Sequence, residues 1–190
     1  ERGGNSHREK LIAPPMSSGY DGVSRGVRST AHDTNEPTVA ADGGPYRRSI
    51  VMDMALELVV LPVSDVDRAK AFYEKLGFRL DVDHRAGEQF RVVQLTPPGS
   101  ACSITIGTGV TDAEPGCIKG LHLVVADIEA ALAELAGRGV EVSEPFHFGA
   151  EGQTPGLDPE RRDYGSYASF SDPDGNGWLV QEVKTRAPGR

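Results

Sequence analysis

The sequence predicts an α+β fold in which two paired βαβββ modules form a curved mixed-sheet cup with helices outside. Three observations carry this expectation. A β-branched strand followed by a capped helix occurs twice, and each copy leads into three further strand-like segments. The two capping residues, Asp65 and Asp127, stand 62 residues apart. A lone unit of this kind leaves one apolar sheet face uncovered, so two of them gain by packing together.

In the first copy, residues 56–63 (LELVVLPV) are apolar and β-branched, as a buried strand requires. Ser64 or Asp65 can cap the helix that follows, Val66, Ala69, Phe72, Tyr73 and Leu76 form its apolar stripe, and Gly77 ends it. Strands are expected over 79–84, 90–96 and 102–107, with turns at RAGE and TPPGSA. In the second copy, residues 121–126 (LHLVVA) read as a strand and Asp127 caps a helix with the stripe Ile128, Ala131, Leu132 and Leu135. Gly139 follows that helix, and strands are expected over 140–143, 167–171 and 178–183. The modules are bounded at 55–107 and 118–184. The Gly/Pro-rich stretch 149–165 is longer than a simple connection and reads as a loop of the lid type.

Residues 1–53 differ in character. They are rich in Gly, Ser, Thr, Pro and Asn and show neither period, which predicts a disordered extension ahead of a domain over 54–190. Acidic and basic side chains balance within 1–53, so the net charge of −8 sits entirely in 54–190. An acidic domain is a poor match for nucleic acid or anionic lipid. No apolar run reaches the ~18 residues of a membrane span, and no leader-type apolar stretch is present. Cys102 and Cys117 have no zinc-site spacing, so the expectation is a cytoplasmic protein. No P-loop, dinucleotide fingerprint or Ser–His–Asp set is present.

The segments VVLPVSDVDRAKAFYEKLGF and SDPDGNGWLVQE, in that order, resemble the vicinal oxygen chelate superfamily. It groups glyoxalase I, extradiol dioxygenases, fosfomycin-modifying enzymes and bleomycin-binding resistance proteins. The resemblance implies the paired-module cup, a small organic ligand inside it, and a homodimer. In metal-dependent members it also implies four ligands facing the cup, a His on the first strand and a Glu on the last strand of each module.

The expected ligand positions are vacant. Counting back seven residues from the capping Asp reaches Leu58 in one module and Gly120 in the other. The strand CSITIG holds no carboxylate, and the last Glu position falls on Leu179. Strand alternation puts Gln181 on the Leu179 face and Glu182 on the opposite one, unless a bulge shifts the register. The expectation is therefore a cup without metal or other cofactor. Ligand-binding candidates are Gln94, His122, Tyr167, Trp178 and Gln181. His122 is the candidate general base, its near-neutral reference pKa suiting that role, although a hydrogen-bonded core histidine is equally open. Tyr167 and Trp178 can be aromatic walls or core. His84 and His147, beside turns, read as solvated; Arg161 and Arg162 read either as solvated or as contacts for an anionic substrate. Three readings stay open: a metal-free ligand-binding protein; a glyoxalase-like lyase or isomerase with an atypical metal set of His122 and Glu182; and an interaction module.

Overall fold

The computed structural model describes residues 54–186. The expected extension over 1–53 lies outside the described residues. Module one runs β1 (Leu58–Val60), α1 (Val66–Lys75), β2 (Arg79–Ala86), β3 (Phe90–Thr96) and β4 (Ser103–Thr108). Module two runs β5 (Leu121–Val125), α2 (Ile128–Gly137), β6 (Phe146–Gly149), β7 (Gly152–Pro155), β8 (Ser166–Ser171) and β9 (Gly177–Glu182). The sheets are ordered β1-β4-β3-β2 and β5-β9-β8-β6-β7. In each, the first strand pairs parallel with the last, and the remaining pairs are antiparallel. The expected repeat is therefore present, with one extra strand in module two.

Both helices start as the sequence predicts. The Asp65 carboxylate accepts from the Arg68 amide and the Asp127 carboxylate from the Ala130 amide, each at 3.0 Å, satisfying amides that an open first turn leaves unpaired. β1 is shorter than predicted, because Pro62 has no N–H to continue the ladder. Two predictions for module two are corrected. Residues 140–143 form no strand: Val140 is buried in the core, and Ser143 touches β8 only through Ser169. The sheet position is taken instead by β6, where Phe146 and Phe148 alternate with His147. The stretch 149–165 is not all loop, since 152–155 pairs with β6 as a short hairpin.

The modules share one core. Val93, Leu95, Ile104 and Ile106 of the first sheet and Ala168, Phe170, Trp178 and Val180 of the second all belong to it. Trp178 stacks on Phe170 (centroids 6.1 Å apart, planes 2° apart) and meets Tyr73 and Phe78 of module one edge-on. The helix-side faces of the two sheets are thus turned towards this common core.

The DPDGN turn fastens the same seam. Gly175, at φ 96°, supplies the left-handed residue the turn needs. Asp172 accepts from the amides of Asp174 and Asn176 and from the buried Tyr73 hydroxyl at 2.9 Å. Burial, reinforced by that carboxylate, raises the Tyr73 pKa. Asn176 reaches across to donate to the Pro62 carbonyl at 2.9 Å, and Asp174 accepts from Ser64 and Arg68. A motif legible as a turn is also the clamp between the repeats.

Candidate functional site

Alternation along the strands assigns the faces. Leu121, Leu123 and Val125 pack into the core, so His122 and Val124 project from the other, concave side of the second sheet. Their partners across the ladder are Leu179 and Gln181, and Tyr167 pairs with Gln181 from β8. Phe146 is opposite Tyr167, so β6 adds its two phenylalanines to this face.

The polar groups here form a short chain. His122 Nδ1 is 3.3 Å from Gln181 Oε1. Gln181 Nε2 donates to the Tyr167 hydroxyl at 2.8 Å and to the Tyr164 carbonyl at 3.2 Å. Around it stand aromatic rings: Tyr167 lies 5.8 Å from Phe146 in a stacked arrangement, 5.3 Å edge-on from Phe148, and 6.4 Å from the His122 ring. Burial raises the Tyr167 pKa, so its hydroxyl keeps its proton at neutral pH. Three of the five predicted ligand-binding residues, His122, Tyr167 and Gln181, meet here.

The other two are elsewhere. Gln94 lies on the concave side of the first sheet, where its Nε2 donates to the Ser103 hydroxyl at 3.2 Å. Trp178 points the opposite way, into the shared core, with its indole N–H on the Tyr73 hydroxyl at 3.2 Å. The wall reading of Trp178 is therefore corrected to core, because its strand register puts it on the helix side. His84 is exposed on β2, and His147 Nδ1 is 2.9 Å from the Gly156 carbonyl.

Glu182 is fully buried on the helix side of β9. Its carboxylate accepts from Arg161 Nη2 at 2.6 Å and Nε at 3.1 Å, and from the Ile128 amide at the start of α2. Arg161 chiefly, with the helix amide, holds its pKa below the usual carboxylate value. Arg162 bonds Asp158 in the same loop and lowers that carboxyl to about 2. The two arginines are therefore structural, each committed to a buried acid. They look solvated in the sequence because Glu182 is 21 positions from Arg161 and Asp158 is hidden in the same loop as Arg162.

The donor set does not fit the metal site that the vicinal oxygen chelate resemblance implies. Leu58 and Leu179 occupy cup-facing positions, and Glu182 is across the sheet from His122, already neutralised by Arg161. Among the described residues no three His, Cys, Asp or Glu side chains converge as a metal site. One His with neutral amides gives a hard cation no charged oxygen to offset its dehydration.

A second concavity, a groove of about 1090 Å³, runs along the open edge of β5 between α2 and the turn at 97–102. Its walls include Phe78, Leu135 and Val180, with Glu134 and Arg138 also lining it. His122 and Val124 are the residues it shares with the concave face.

Comparison with known proteins agrees with this architecture. The family model described as the Glyoxalase/Bleomycin resistance protein/Dioxygenase superfamily matches residues 55–180. Among solved structures, the antibiotic binding protein TnmS3 from Streptomyces sp. CB03234 is 33% identical, with 69% of this chain and 97% of that one covered at a TM-score of 0.54. A glyoxalase/bleomycin resistance protein from the same organism is 34% identical, with coverage of 67% and 100% and a TM-score of 0.52. A superfamily member from Sphaerobacter thermophilus DSM 20745 is 29% identical, with coverage of 70% and 99% and a TM-score of 0.54. No curated protein matches. With two βαβββ repeats, parallel first and last strands, and a family match across both modules, this chain belongs to the Glyoxalase/Bleomycin resistance protein/Dioxygenase superfamily.

Proposed function

We propose that this protein binds a small organic ligand on the concave face of its second sheet and does so without a metal. The carrying observation is the polar chain His122–Gln181–Tyr167 set among Phe146, Phe148 and Val124, with no carboxylate in it. Apolar walls with a few fixed polar groups suit a ligand held by burial and oriented by hydrogen bonds. The similarity to an antibiotic binding protein supports the same reading. Were a reaction catalysed, His122 is the group placed to take a proton. We read the protein as cytoplasmic, with Cys102 and Cys117 free.

The occupied form is a homodimer. The two sheets of one chain share a core through their helix sides, which turns both concave faces away from it, and Leu58, Val82, Phe90 and Val124 on those faces are exposed. A second copy, laying its first sheet over this chain's second, covers these groups and brings Gln94 of one chain to the His122 site of the other.

The test is a ligand screen on the full chain, with elemental analysis and solution mass measured on the same preparation. The expected result is a dimer whose ligand affinity survives chelators and falls about tenfold in His122→Ala, the fold unchanged by circular dichroism. Stoichiometric metal lost together with binding on chelation would reject the metal-free reading.

A further inference from the structure

We infer that His122 presents an unprotonated Nε2 to the cup, so that the site selects ligands carrying a hydroxyl or N–H donor on an aromatic frame. The inference rests on the ligand-binding reading above and specifies the ligand class.

The orientation of His122 is set from the loop before β8. Arg161 and Tyr164 have positive φ, 50° and 66°, without being glycine. Such backbone persists only where its surroundings enforce it. Here Arg161 is held by the buried Glu182, Arg162 by the buried Asp158, and the Tyr164 amide by the Glu182 carbonyl at 2.9 Å. The Tyr164 carbonyl is thereby fixed where Gln181 can reach it.

A carbonyl oxygen only accepts. The Gln181 atom 3.2 Å from it must therefore be the amide nitrogen, since the flipped amide would set oxygen against oxygen. With both its amide hydrogens directed to Tyr164 and Tyr167, Gln181 turns its oxygen to His122. That oxygen also only accepts, so His122 Nδ1 carries a hydrogen. In neutral imidazole the other nitrogen is then an acceptor, and Nε2 has no partner among the described residues. His122 is on the exposed side of the edge strand β5, where a ligand can approach. The Tyr167 ring beside it, with Phe148 edge-on behind Tyr167, favours an aromatic frame for the incoming donor. Gln181 and the Tyr164 carbonyl act as positioning groups: they set which histidine nitrogen reads the ligand.

Nitrogen-15 spectra of the full chain labelled at histidine test the first half. The His122 signals, assigned by their loss in His122→Phe, are expected to show a protonated Nδ1 and a bare Nε2. In Gln181→Leu the balance should move towards the Nε2–H tautomer. The second half is tested with 2-naphthol and 2-methoxynaphthalene, of which only the first can donate. Naphthol should bind about three- to tenfold tighter, and His122→Phe should abolish the difference. A protonated Nε2 in the unmodified neutral protein would overturn the inference. Equal affinity of the two probes would overturn it while leaving the ligand-binding reading in place, and binding of neither would overturn both.

Discussion

The two modules share a framework and diverge on their concave faces. Counting from the capping residues Asp65 and Asp127, Val60 holds in module one the place that His122 holds in module two. Beside Val60 across the ladder is Thr105, whose buried hydroxyl has no partner among the described residues; beside His122 is Leu179. Module one joins its second and third strands by the short turn at 87–89, whereas module two spends the corresponding stretch on an extra hairpin and a pinned loop. That insertion supplies the Tyr164 carbonyl, while Phe146 and Phe148 stand on β6, the counterpart of β2. The repeat keeps what packing needs; the site is made by different side chains on the shared strands, and the loop added to one copy braces it through Tyr164.

Helix-side charges differ in the same sense. In module one, Arg91 bonds Asp83 and Asp67, which both retain contact with water, and with Lys70 it lowers the Asp83 pKa. In module two, Arg161 covers a Glu182 that has no exposure at all.

Three experiments press on this comparison. The largest effect is expected where the modules depend on each other. Trp178→Ala removes the ring that meets Tyr73, Phe78 and Phe170, and should cost about 3–5 kcal/mol in urea unfolding. A loss below ~1 kcal/mol would show that the modules do not share their core in solution.

Next is the contrast between the two arginines. Arg161→Ala strands a buried carboxylate, so the melting temperature should fall by about 5 °C. Arg91→Ala leaves carboxylates that water can reach, and its loss should be about half of that. Equal losses would remove the distinction drawn between the modules.

The smallest effect is local and depends on pH. The Asp158 pKa is lowered to about 2 by Arg162, against about 3.9 in an unfolded chain. Its contribution is therefore complete above about pH 4 and is lost as pH falls towards 2. Protection of the Arg162 amide, which donates to Asp158 at 2.8 Å, should decline over that window and be low at every pH in Asp158→Asn. No such decline would mean that the ion pair does not hold the loop.

Much of this was written locally. Asp65 and Asp127 mark both helix starts because a capping carboxylate acts on amides only three residues away. Alternation in LHLVV and GWLVQE separated His122 and Gln181 from Glu182, since strand geometry dictates which neighbours share a face. The vacancies at Leu58 and Leu179 could be counted out only because the family resemblance supplies the ligand pattern to count against.

The tertiary structure decided what depends on partners far along the chain. FHFG is too short to declare itself a strand, and it displaced residues 140–143 only because Tyr167 was there to pair with Phe146. Trp178 became core because the Tyr73 hydroxyl and the Phe170 ring meet it on the helix side. Arg161 looked like a solvated loop residue until the fold delivered Glu182 beneath it, 21 positions on. Hydrogen bonds and ion pairs act over a few ångströms, and sequence distance does not say which groups the chain will bring that close.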